Sequence, residues 1–322
     1  MPNYVLSIIL ALFLVLILFR PHIINDWVRY SGIHRIQSHE LRLIKYYQKP
    51  RVPTTCRTVI TMTTIPSRIN SFYYSLYSVL DQTHRVDEII INIPYTSRKN
   101  VPYVIPSWLT RLARANKTIT IHRCESDVGP ITKLLPTLER YRHEHVHMIV
   151  VDDDVIYKKR HIHNLCKLSL AYPNHAITGT GYRALNKDRT SRIYRSFGHG
   201  VKQVDVLMGV SGFLVNTTMF DYDRFVEGRN KCPEYVFVDD NYISLHLMSR
   251  NIPIISMKYG NGLSCPEFAN FMKMIFNLNS DSLCRTMNKP SSNGWFGENE
   301  SKIMSDHGMY LTQSDYVKFY FL

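Results

Sequence analysis

The sequence predicts an α/β fold built on a mainly parallel sheet with helices on both faces. Short apolar, β-branched runs recur along the chain, each bounded by turn residues. Helical segments separate these runs, and strand-helix alternation is the pattern of a parallel sheet covered on both faces. At 322 residues and 45% apolar content, the chain can fill the core of one large domain or two small ones.

The first strand is expected at residues 58–62, followed by the turn Thr63-Thr64-Ile65-Pro66. Proline is tolerated in the first turn of a helix, so Pro66 opens one that runs to about Leu80. Strands at residues 88–93 and 118–122 come next, then a helix at 131–141 and a buried strand at 148–151. Further on, residues 176–178, 213–215 and 235–238 read as strands, and residues 241–250 as a helix. There is no repeat of solenoid period and no low-complexity tract.

Ahead of this domain lies a different composition. From Val5 to Phe19 every residue but Ser7 is apolar, and the run stops at Arg20-Pro21. As a helix it would be about 22 Å long, enough to span a bilayer with local thinning. No small-residue cleavage site follows, so residues 1–21 are expected to remain as a membrane anchor. Polar, basic residues 22–54, broken by Pro50 and Pro53, read as a stem. The domain proper is expected at 55–300 and a C-terminal segment at 301–322. Arg20 and Arg29 follow the apolar run while Met1 to Asn3 carries no cation, which by the positive-inside rule keeps the large domain cytoplasmic.

The formal charge is +13, which favours anionic partners. Residues 158–202 hold ten Lys/Arg against the single acid Asp188. That stretch is either a solvated face or a patch attracting a diphosphate; no aromatic-interleaved basic stripe supports nucleic-acid binding. Six scattered cysteines form no C-x-x-C pair, so no zinc ribbon or thioredoxin-type site is indicated. Sequons start at Asn116, Asn216 and Asn299.

The strongest chemical signal is Asp152-Asp153-Asp154, delivered by the apolar run Met148-Ile149-Val150-Val151. Open parallel sheets bind ligands outside the carboxyl ends of their strands. Strand alternation would put Asp152 and Asp154 on one side and Asp153 on the other, so two carboxylates could converge on a hard divalent cation, Mn²⁺ or Mg²⁺. Three adjacent carboxylates also repel one another unless a cation or basic group compensates them.

Other segments each allow two readings. Gly129-Pro130 can open a helix whose amides face an anion, with Lys133 one turn in, or mark a simple helix start. Gly209 and Gly212 around Ser211 permit close approach of backbone to a ligand, or mark a bulge. Asp239-Asp240 ends a strand and begins a helix, as an N-cap or as a functional acid pair. The G-x-G-x-x-A at Gly179 to Ala184 lacks the acid about twenty residues on that a dinucleotide site requires.

Over residues 57–300 the chain resembles the GT-A class of nucleotide-sugar glycosyltransferases, in a family-2-like, D-x-D-containing form. Asp152 to Asp154 resembles the D-x-D motif, and Val59 to Arg68 the first strand and turn that bind the nucleotide. The run Asp127-Val128-Gly129-Pro130-Ile131-Thr132-Lys133 resembles D-x-G-P-x-T-K, and Gly209 to Phe213 the glycine loop beside the donor sugar. Val238-Asp239-Asp240 resembles x-E-D, with Asp239 in place of the usual Glu. The resemblance implies Asp152, Asp154 and, from Ser305-Asp306-His307, His307 as metal ligands. It implies Thr63, Thr64, Arg68, Asp127, Lys133, Asp152 and Asp153 at the nucleotide sugar, and Asp240, with Asp239, at the catalytic base. The implied reaction moves a sugar, with inversion, from a UDP-sugar to a hydroxyl of a glycan, glycoprotein or glycolipid. Anchored glycosyltransferases usually face the lumen, against the orientation read from Arg20 and Arg29.

Two other functions fit parts of the sequence. A haloacid-dehalogenase-like phosphatase would use Asp152 as nucleophile, Asp154 as acid/base, Thr180 and Lys202 as phosphate binders and Asp239-Asp240 on the metal. That fold begins with the nucleophile strand, whereas two strand-helix units precede Asp152 here. A catalytically silent binding protein is the other.

Overall fold

The computed structural model describes residues 46–182, 201–231 and 239–257. Among these residues no helix is long and apolar enough to cross a membrane. The expected anchor, the stem up to residue 45, the strand at 235–238 and everything from 258 onward, His307 included, lie outside the described residues.

In chain order the elements are β1 (Arg57–Thr63), α1 (Tyr73–Leu80), β2 (Glu88–Pro94), α2 (Ser107–Ala115), β3 (Ile119–Cys124), α3 (Leu135–Tyr141), β4 (Val146–Val150) and α4 (His161–Ala171). There follow β5 (Ala176–Thr178), β6 (Gly181–Tyr182), β7 (Lys202–Val204), β8 (Val206–Leu207), β9 (Phe213–Asn216), α5 (Tyr222–Lys231), α6 (Asp239–Ser249) and β10 (Ile254–Ser256). Among the described residues eight strands form one sheet in the order β3-β2-β1-β4-β9-β5-β10-β7, and β6 and β8 pair separately.

The sheet is mixed. Strands β1 to β4 are mutually parallel where they pair, as are β5 and β10. β9 runs antiparallel to both β4 and β5, and β7 antiparallel to β10. The reversal of β9 follows from where it starts: Phe213 pairs with Val150, the last residue of β4, so the strand enters at the carboxyl rim and must run back.

Strand alternation divides the core between the two faces. Val59, Ile90, Met148, Val150, Phe213 and Val215 face one way, under α3, α5 and α6. Ile60, Ile89, Ile91, Ile149 and Leu214 face the other, under α1, α2 and α4. The residues between them in sequence thus serve opposite layers, which is why these strands read as continuous apolar runs.

Residues 46–54, assigned by composition to the stem, belong to the folded core. Tyr46 is 1% exposed and its hydroxyl accepts the Val86 N–H at 2.9 Å. Val52 is buried, and its N–H donates to the Arg85 carbonyl. Two sequons also change meaning, because Asn116 and Asn216 are both buried and unavailable to a glycan in the folded chain.

Two expected helices are shorter than the sequence suggests. Residues 65–72 form overlapping turns through Ile65 and Arg68 carbonyls before α1 begins at Tyr73. Residues 129–133 form a 3₁₀ turn, and α3 starts after it with Pro136 in its first turn.

Candidate active site

The chain runs outward from β1 through β2 to β3, then crosses to the other side of β1 to form β4. This is a topological switch point, where the connections leaving β1 and β4 diverge and open a crevice at the carboxyl rim. The turn after β1 carries Thr64 and Arg68; the turn after β4 carries Asp152, Asp153 and Asp154.

The three acids are not grouped as strand alternation suggests. β4 ends at Val150, so the alternation lapses before the acids are reached. Arg68 spans Asp153 and Asp154, at 3.1 and 2.9 Å, and Thr64 Oγ1 donates to Asp153 at 2.6 Å. Asp152 turns instead to Lys133, 2.8 Å away. Two cations thus compensate the acidic run, answering the repulsion that its sequence implies.

Asp153 is the buried member. Desolvation outweighs the Arg68 charge and pushes its pKa up to about 6. Between the ordinary carboxylate range and that value the folded state holds a proton the unfolded chain has released. This group therefore withdraws stability as pH rises through that window. Asp152 and Asp154 keep about a quarter of their side-chain surface exposed, 24% and 28%.

Lys133 links the two acidic segments. Its ammonium lies 2.8 Å from Asp152 Oδ1 and 2.9 Å from Asp239 Oδ2, with the side chain only 7% exposed. Burial works against its charge, but the carboxylates of Asp152, Asp239 and Asp240 prevail and hold its pKa well above the usual lysine value. The backbone beneath is fixed by a buried polar network: Thr61 Oγ1 donates to the Lys133 carbonyl, and Asn92 Nδ2 reaches Thr61 and Thr137 at 3.1 and 3.0 Å.

Asp239 and Asp240 open α6. Asp240 keeps partial exposure as a residue, but its Oδ1 is sealed from solvent. Burial first, then the adjacent Asp239 charge, raise its pKa well above the ordinary carboxylate range, against the opposing pull of Lys133 and the Gly209 N–H. A helix cap is normally solvated and needs one acceptor; here two acids converge on a buried lysine.

Gly209 has a steric reason to be glycine. A Cβ there would lie 2.7 Å from Asp240 Oδ1 and 2.8 Å from Lys133 Nζ, closer than side chains approach. The close approach expected of this loop is therefore to the acid-lysine cluster. Gly209→Ala should destabilise the protein by about 1–3 kcal/mol, because Lys133 cannot move without losing Asp152 and Asp239 and the Asp240 carboxylate is packed out of solvent beside it. Denaturant unfolding checks this; a midpoint shift too small to measure would show that the cluster is pliable. Gly212, at φ +68°, lies where side chains are disfavoured, with a would-be Cβ 3.0 Å from His161 Nε2.

The remaining expected residues are more peripheral. Asp127 accepts the Gly129 N–H at 2.8 Å and the Arg98 N–H at 3.2 Å, and Thr132 Oγ1 accepts the Val128 N–H at 3.1 Å. Those two amides at the start of the 129–133 turn are thus committed to side chains. Thr63 Oγ1 donates to the Asn92 carbonyl at 2.7 Å, into the sheet.

Three residues that sequence reasoning passed over hold the site in place. Tyr157, fully buried, accepts the Asp152 N–H at 2.9 Å, and Ser75 Oγ donates to the Asp152 carbonyl at 2.6 Å. Tyr103 donates to the Thr64 carbonyl at 3.1 Å and lies 3.5 Å from Asp127. Ser75 and Tyr103 reach the site from distant elements, and Tyr157, five residues beyond Asp152 in the same turn, belongs to no recognisable motif. A comparison of the sequence with protein-family models and with curated proteins found no match.

Proposed function

We propose that this chain is a metal-dependent glycosyltransferase that takes its sugar from a nucleotide-sugar donor bound at the β1/β4 switch point. The observation that carries this reading is the Lys133 bridge: it brings a part-exposed acidic run at one strand end beside a more buried acid pair from a helix more than eighty residues later. The first suits a cation and a diphosphate; the second supplies a base of raised pKa. The motifs resembling those of GT-A enzymes occupy these same positions, and the fold is α/β with a parallel β3-β2-β1-β4 half.

Asp152 and Asp154 offer hard, part-exposed oxygen donors of the type that takes Mn²⁺ or Mg²⁺, each now ion-paired, to Lys133 and Arg68 respectively, and a bound cation would have to share them with those partners. Such an ion, when bound, stabilises negative charge developing on a leaving diphosphate. Lys133 and Arg68 supply further positive charge at the crevice floor, and Thr64 and Tyr103 position the turn after β1. Asp240 would accept the proton of the acceptor hydroxyl, a base distinct from the donor-side carboxylates. The acceptor is a hydroxyl of a glycan, glycoprotein or glycolipid, reached from an anchor at residues 1–21, and inversion is the expected stereochemistry.

The phosphatase reading places Lys202 at the phosphate, yet Lys202 begins the edge strand β7, with β9, β5 and β10 between it and β4. Incubation with UDP-sugars and Mn²⁺ is expected to release UDP, and Asp154→Asn to abolish metal-dependent UDP binding. Phosphate release from a chromogenic ester without UDP release from any nucleotide sugar would instead establish the phosphatase. Thermal protection by GDP and not UDP would reassign the base.

A further inference from the structure

At the opposite rim of the sheet, where β1 and β4 begin, Cys56, His145 and His147 gather a thiol and two imidazoles with one ligand atom from each within 4.8 Å of the others. The register explains why. Arg57 pairs with Val146 and Thr58 with His147, so Cys56, just before β1, arrives beside the start of β4. His145 and His147 are two residues apart and project to the same face.

We propose that Cys56, His145 and His147 form a binding site for a zinc-class divalent cation that clasps the first strand of the sheet to its central neighbour. One sulfur and two nitrogens make a borderline-soft donor set, which selects Zn²⁺ or Co²⁺ over the Mn²⁺ or Mg²⁺ suited to carboxylates. Tetrahedral coordination with Zn–S of about 2.3 Å and Zn–N of about 2.0–2.1 Å spaces ligand atoms about 3.4–3.6 Å apart, so the three side chains need close in only slightly.

A second observation points the same way. His147 is 7% exposed, and its Nδ1 is buried with no hydrogen-bond partner. A buried imidazole nitrogen left unpaired is costly, and a metal bound at that nitrogen would remove the cost. The ring stands edge-on to His145, with centroids 6.1 Å apart at 74°, and the His147 backbone N–H faces the Cys56 sulfur. Cys56 is half-buried and His145 exposed, so a cation can reach the site from solvent.

This site is independent of the carboxylate crevice, which lies at the far ends of the same strands, roughly 20 Å away at about 3.3 Å per residue. The test is titration of the chelator-treated full chain with Co²⁺ alone. One equivalent should produce a thiolate-to-cobalt charge-transfer band, and Zn²⁺ but not Mn²⁺ should displace it. Cys56→Ser should remove the band; His145→Gln, altering an exposed side chain that the core does not need, should weaken Co²⁺ binding at least tenfold. Asp154→Asn should leave the band unchanged whether or not the crevice binds a metal. Absence of the band in the unaltered chain, or its persistence at equal strength in either Cys56→Ser or His145→Gln, would overturn the site.

Discussion

Asp240→Asn is expected to lower sugar transfer by about 10²–10⁴-fold while leaving UDP and Mn²⁺ binding in place. A sugar hydroxyl is a poor nucleophile at neutral pH, so its proton must leave as the new bond forms. Asp240 suits that task because burial and the Asp239 charge make it more basic than an ordinary carboxylate. The same shift fixes the sign of the pH response: transfer should fall on the acid side, as pH drops through the raised pKa and the base becomes protonated. The amide keeps the side chain's shape against Gly209 and removes one of the acids crowding Lys133, so the fold should survive the change. Comparing kcat and nucleotide affinity in Asp240→Asn and Asp239→Asn separates the two acids. Normal transfer in the first and loss in the second would exchange their roles; normal transfer in both would leave only a helix start.

Lys133→Met should destabilise the protein by about 3–5 kcal/mol, the cost of removing one partner from a buried ion cluster. Methionine nearly conserves the volume, so the loss is electrostatic. Without the ammonium, Asp152, Asp239 and Asp240 face one another with no buried cation at the Lys133 position, and a buried acid that cannot be compensated must take up a proton or move toward water. Donor binding should weaken as well, since Lys133 holds Asp152, one of the carboxylates assigned to the donor side. A second substitution, Lys133→Met with Asp239→Asn, should recover part of the stability and none of the transfer. Denaturant midpoints of the two variants measure this. A single-variant midpoint equal to that of the unaltered chain would show that the cluster contributes nothing to the fold.

Much of the fold is legible in the sequence. The strands at residues 58–62, 88–93, 148–151, 176–178 and 213–215 lie within or next to the observed β1, β2, β4, β5 and β9. Apolar and β-branched runs leave few alternatives once both faces are covered. Helix α4 was missed although His161, Ile162, Leu165, Cys166 and Ser169 are buried at helical spacing. Its surroundings read as a basic patch, and Lys167 lies on its exposed side. Helix α2, with Leu109 and Leu112 buried one turn apart, was masked by the polar residues between them. The short strands β6, β7, β8 and β10 hold two or three residues each, too few for a period to show.

The sequence by itself determined the α/β class, the strand that delivers Asp152 to Asp154, and the separation of a second acid pair at Asp239-Asp240. Those follow from local pattern, because periodicity and residue type act within a few positions. Only the tertiary structure decided which charges meet. Arg68 takes Asp153 and Asp154, Lys133 joins Asp152 to Asp239, and Cys56 comes beside His145 and His147. Each of these encounters depends on the order and register of strands, and hence on how the whole chain distributes its apolar surface between the two faces of the sheet. Burial then fixes the electrostatics: a carboxyl group that is ordinary in water becomes more basic when buried beside another acid, a difference that no window of sequence contains.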